Sequence, residues 1–148
     1  MILLSQIPVL ASETPLTMAS LFSEPTTEKP SPYDWIKQEQ ISVKKDQVVI
    51  DLKGAVLARF VNTNSMDPIL DEHATGIEIV PDSLTDIHIG DIVSYKSNDS
   101  EVIIHRVVFI GVDNKGWYAL MKGDNNDARD PERIRFEQIQ RVLVGVIY

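Results

Sequence analysis

The sequence predicts a mostly-β domain, a small sandwich or partly closed barrel with few and short helical turns. Three observations lead there. Short apolar segments, rich in β-branched residues, recur along the chain, and such residues fit a pleated, half-buried surface. Turn signals such as Lys53-Gly54, Asn98-Asp99-Ser100 and Lys115-Gly116 separate them. Helical periodicity is scarce, and short strands punctuated by turns are the pattern of sandwiches and barrels.

Taken in order, the chain opens on residues 1–32, which hold five of its eight prolines (Pro8, Pro15, Pro25, Pro30, Pro32). Residues 12–32 are rich in Ser, Thr, Pro and Glu, a composition that cannot bury enough apolar surface to offset the entropy of ordering. A flexible tether over 1–32 and one folded domain over 33–148 are expected. Residues 33–40 read as a short helix containing Trp35. Val48–Leu52 reads as a strand, Lys53-Gly54 as a turn and Ala55–Val61 as a second strand. Gly76–Val80 alternates with period two, so Ile77 and Ile79 should face the core and Glu78 water. Ile89-Gly90-Asp91 leads into a strand through Tyr95, and Val102–Ile110 is the longest apolar strand. Asp113-Asn114-Lys115-Gly116 is a hairpin signal, with Trp117–Met121 as the return strand. Ile134–Gln140 reads as a short helical turn or loop, and Val142–Tyr148 closes the sheet.

Composition excludes several classes of function. A chain of 148 residues suits one domain, and 43% hydrophobic content fills an ordinary core. The formal net charge of −8 disfavours nucleic acid as a partner and direct adhesion to anionic lipid. The absence of cysteine removes disulfides and thiolate metal sites. The apolar run Met1–Ala11 is interrupted by Ser5, Gln6 and Pro8, falls short of the roughly 20 residues a span needs, and lacks a basic leader. It reads either as a frayed terminus or as the end of an anchor lying before Met1.

The candidate chemistry sits in three separated segments. Ser65 lies in Thr63-Asn64-Ser65-Met66-Asp67-Pro68, where Met66 would pack inward and Pro68 stiffen the backbone. A serine hydroxyl needs a base to become nucleophilic. Backbone N–H groups here, with the Thr63 hydroxyl, would receive a developing oxyanion. His105 lies in the apolar strand, and an ordinary imidazole accepts a proton near neutral pH. Arg106 is expected on the opposite face, toward solvent. His73 and His88 read as surface-loop residues, and no helix-spaced histidine pair marks a metal site. In the acidic turn 122–131, Asp130 would cap a short helix with Pro131 at its first position. The turn lacks the glycine and terminal glutamate of a calcium loop. A carboxylate bonded to His105 would fix its tautomer, and Asp124 and Asp130 are both candidates.

Together these segments resemble the signal peptidase I family, in its archaeal and endoplasmic-reticulum branch. The resemblance rests on Ser65-Met66-Asp67-Pro68, Gly90-Asp91-Ile92-Val93, His105-Arg106-Val107, Lys122-Gly123-Asp124-Asn125-Asn126 with Asp130 six residues on from Asp124, and Val142–Ile147. It covers about residues 58–148. It implies the catalytic-domain fold of that family and a serine endopeptidase that cuts secretory preproteins after small residues, with alanine typical at the first and third positions before the cut. The work would be done on the outer face of a membrane, reached through a preceding anchor, with no cofactor. In that frame Ser65 is the nucleophile, His105 the base, Asp130 its orienting carboxylate and Asp124 a supporting one. The Ser65 N–H and Thr63 would hold the oxyanion. A distance of about 3 Å from Ser65 Oγ to a His105 ring nitrogen is expected. The sequence departs from the pattern at residues 33–57 and the tether, which separate any anchor from the serine, and in the loop Asp71–Gly76. Two rivals are a self-cleaving regulator on a related β fold and a non-catalytic peptide-binding relative. The first normally brings a lysine base and a DNA-binding module, and neither is visible here.

Overall fold

β-branched runs and tight turns set the architecture. In a computed structural model that describes residues 28–148, the chain forms a two-stranded and a six-stranded antiparallel sheet, without a closed barrel among the described residues. The strands are β1 (Ile41–Val43), β2 (Val48–Ile50), β3 (Val56–Arg59), β4 (Thr75–Ile79), β5 (Ile92–Lys96), β6 (Val102–Asp113), β7 (Gly116–Lys122) and β8 (Ile139–Ile147). The three helical elements are single 3-10 turns at Gln38–Gln40, Leu84–Asp86 and Phe136–Gln138. The larger sheet runs β3-β4-β8-β5-β6-β7, so the last strand in sequence is central in space.

Alternation along the strands divides the core in two. Val93 and Tyr95 of β5 pack with Val107, Met121, Ile134 and Val142 on one face. Ile92, their neighbour, packs with Met66, Leu70 and Leu143 on the other. Complete burial of Val93, Val107 and Val142 stabilises the sheet by about 1.5–3 kcal/mol for each side chain.

Several elements differ from expectation. The helix expected over 33–40 is only the turn Gln38–Gln40, and Trp35 lies outside it. Asp91 is the reason. This fully buried carboxylate accepts hydrogen bonds from the Tyr33 N–H (2.9 Å), the Trp35 indole (3.0 Å) and the His88 N–H (2.8 Å). The approach is so close that a Cβ on Gly90, at φ +104°, would stand 2.0 Å from the Ser31 carbonyl oxygen. Packing against the sheet therefore begins by Pro30, earlier than residue 33; residues 1–27 of the expected tether lie outside the described residues. β1, which pairs with β2, has no sequence signal of its own.

Two side chains expected in water are buried. Glu78 is 5% exposed, because it pairs with Leu143 on the face where Met66 and Leu70 pack, so that face is covered. Arg106 is 4% exposed, held by Asp124 and by the carbonyls of Gly90 and Pro30.

Candidate active site

The serine segment is shaped by local backbone chemistry. Asn64 adopts φ +60°, a left-handed conformation that asparagine tolerates, and it turns the chain just before Ser65. Met66 is buried as expected, so the segment is anchored on one side. The acidic turn clamps the other. The Asn125 N–H donates to the Ser65 carbonyl (2.9 Å), and the Asn125 side-chain amide donates to the Asn64 carbonyl (2.9 Å). The Asp124 N–H points at the Met66 sulfur (3.4 Å). Gly123 makes this fit possible, since a Cβ there would stand 2.6 Å from the Ser65 carbonyl oxygen. The Ser65 N–H has no acceptor among the described residues.

His105 and Asp130 come together as the sequence predicts. His105 Nδ1 lies 2.7 Å from Asp130 Oδ2. The same oxygen accepts a hydrogen bond of 2.5 Å from Tyr95, a residue that is 1% exposed. Burial pushes the Asp130 carboxyl up, but the bonds from His105 and Tyr95 and the charge of His105 outweigh it. The net result lies below the usual carboxylate range. Burial, with the bond to Asp130 and its charge, pushes the Tyr95 phenol well above its ordinary value, so it stays a donor. With Nδ1 donating to Asp130, Nε2 carries the lone pair and is the ring's base. Asp130 does not cap a helix, because Asp130 to Ile134 is extended and turn structure.

Asp124 takes a different partner. Its two oxygens accept from Arg106 Nε (2.7 Å) and Nη2 (2.6 Å), a bidentate pair buried on both sides. Arg106 Nη1 also donates to the carbonyls of Gly90 (2.8 Å) and Pro30 (3.1 Å). The supporting role expected for Asp124 is thus exerted on the fold around Ser65, with no bond to His105 among the described residues.

Ser65, Thr63 and His105 line one cavity of about 770 Å³. Its two walls are Ala58–Val61, at and beyond the end of β3, and Glu101–His105, leading into and along β6. β3 is the terminal strand of its sheet. β7 pairs with β6 only from Arg106 onward, so Val102–His105 have a partner strand on the β5 side alone. Two strand edges with spare backbone groups therefore flank the cavity. His105 lines the cavity although its strand position shares the Val93–Tyr95 face of the sheet, and Met66 packs on the other. The expected Ser65–His105 hydrogen bond is not formed among the described residues; the Ser65 hydroxyl lies 3.1 Å from Thr63 Oγ1 instead. Catalytic hydrogen bonds are often loose before substrate binds.

Tyr95 and Asn125 contribute to the site without having stood out in the sequence. Tyr95 carries a signal all the same, being a tyrosine in a buried strand whose hydroxyl must find a partner. Comparison with protein-family models, curated proteins and solved structures returns no match to this chain.

Proposed function

We propose that the chain is a serine endopeptidase of the signal peptidase I type, acting on extended segments of secretory preproteins. One observation carries this reading. His105, its imidazole bonded to Asp130, lines the same cavity as Ser65 and Thr63, between two strand edges. An extended peptide laid between β3 and Val102–His105 would gain backbone hydrogen bonds from either side. Ser65 then attacks the scissile carbonyl. His105 Nε2 takes the hydroxyl proton and passes it to the leaving amine, and Asp130 stabilises the imidazolium formed between those steps. The Ser65 N–H and the Thr63 hydroxyl receive the oxyanion.

On this reading the domain works at the extracytoplasmic face of a membrane. No helix among the described residues is long and apolar enough to cross one.

The test is cleavage of a peptide bearing an Ala-x-Ala site by the pure chain, with Ser65→Ala as the comparison. Substitution of the nucleophile should lower the rate by roughly 10⁴-fold or more, with the circular-dichroism spectrum unchanged. Full activity in Ser65→Ala overturns the assignment. The Thr63–Ser65 bond, in place of a Ser65–His105 bond, favours one rival, a peptide-binding module without chemistry. That rival predicts binding of the same peptide with no cleavage.

A further inference from the structure

The cavity holds a charged group that the proposed chemistry does not use. Its floor is formed by β4, β8 and β5, the strands lying between the two edges, and from them Glu78, Arg141 and Ser94 line it. Ser94 and Arg141 are register partners on β5 and β8, and Glu78 pairs with Leu143, two positions along from Arg141. All three therefore project from the same face of the sheet.

Glu78 stands in an unusual state. It is 5% exposed, yet no ion pair within 4.0 Å closes on it among the described residues. The residue is among those that line the cavity. Burial pushes its carboxyl above the usual range, against the pull of the Ser94 hydroxyl and the Arg141 guanidinium. A carboxylate so placed lacks a cation at contact distance. Buried charges in proteins are normally paired, because an unpaired one loses its hydration without compensation. The groove beside it is shaped for an extended chain, and every second side chain of such a chain points at the floor.

We propose that Glu78 is the recognition group of a side-chain subsite, taking a lysine or arginine of the substrate that points down from the extended segment. This inference rests on the peptidase reading and adds a specificity to it. The subsite lies away from Ser65, since Glu78 pairs with Val56 at the start of β3 and the serine follows the far end of that strand. The selected cation therefore sits at some distance from the scissile bond, and small residues at the cut itself remain compatible with it. The acidic balance of the chain, −8 overall, favours the approach of a cationic segment.

The experiment is a set of Ala-x-Ala peptides in which lysine is moved one position at a time, each paired with its uncharged isostere norleucine. The expected result is one position at which wild-type protein prefers lysine by roughly 100-fold in kcat/KM, the size lost when one partner of a buried charge pair is removed. Glu78→Gln should bring that ratio to about one, and Glu78→Arg should turn the preference toward glutamate. Gln keeps the shape and removes a charge whose burial is unfavourable, so the fold should tolerate it. No lysine preference at any position in wild type overturns the inference without recourse to a variant. Retention of the preference in Glu78→Gln overturns it as well. Should wild type cut none of the peptides, the peptidase reading fails by itself. Binding of the lysine and norleucine peptides to Ser65→Ala, with and without Glu78→Gln, then decides the subsite: a lysine preference lost with Glu78 supports it, and equal binding of the two peptides overturns it.

Discussion

His105 and Arg106 are consecutive residues of one strand, and each is met by a carboxylate from the same acidic turn. Their environments have nothing else in common. Arg106 is surrounded: two bonds to Asp124, one to Gly90, one to Pro30 and almost no contact with water. His105 is bonded on one nitrogen only among the described residues, and the residue lines the cavity. The first pair uses four of the five guanidinium N–H donors, and an arginine does not give up its proton. The second has a defined tautomer and a free lone pair. A basic residue and an aspartate make a structural tie when the base is an enclosed guanidinium, and a candidate proton relay when it is an imidazole with one nitrogen left open.

Substituting the two aspartates separates these roles most strongly. Asp130→Asn presents His105 with an amide in place of a carboxylate, and peptide cleavage should fall by about 10⁴-fold with little loss of fold. Asp124→Asn leaves a buried guanidinium without its counter-charge. Urea unfolding should show a loss of about 3–5 kcal/mol, a large part of the stability of a domain this size. If both variants lose activity while keeping full stability, the distinction between tie and relay is wrong.

Tyr95→Phe probes the finer balance within the His105 pair. Removing the phenol takes one donor from Asp130 Oδ2 and concentrates the carboxylate's charge on His105. The imidazolium gains, so the acid limb of the rate profile should move to higher pH. Loss of the buried bond should also cost about 1–3 kcal/mol of stability. An unshifted profile would reduce Tyr95 to a packing residue.

The smallest expected effect is on stability in acid. Asp130 is held below its ordinary range in the folded state. A depressed carboxyl contributes stability that is present above its unfolded value, near 3.9, and lost as pH falls through the folded one. Urea midpoints measured from pH 6 to pH 2 should therefore converge for wild type and Asp130→Asn below about pH 4. A constant gap between them would assign the stabilisation to packing alone.

Much of the architecture is legible in the order of the residues alone. β-branched runs and the Asn114-Lys115 hairpin place β2 to β8 within a few residues of their observed bounds, because side-chain period and turn chemistry are local properties. The short β1 is not legible, since its pairing with β2, and not its own composition, makes it a strand. The candidate site is legible as residue types. Ser65, Thr63 and His105 open onto one cavity, and Asp130 is bonded to the imidazole, as their chemistry leads one to expect.

Assignment of partners is a different matter. Asp124 and Asp130 look alike in sequence, and only the fold directs one to Arg106 and the other to His105. Tyr95 meets Asp130 across 35 positions and Asn125 meets Asn64 across 61, separations over which no local pattern carries information. Glu78 shows the same limit from the other side. Alternation correctly separates it from Ile77, but whether a sheet face meets water or a covered groove depends on what the remaining strands lay over it. The amino-acid sequence by itself determined the strands, their turns and the chemical inventory. Tertiary structure alone decided which charges are paired and which is left facing the cavity, because pairing is a property of distances that the chain sets only when it closes on itself.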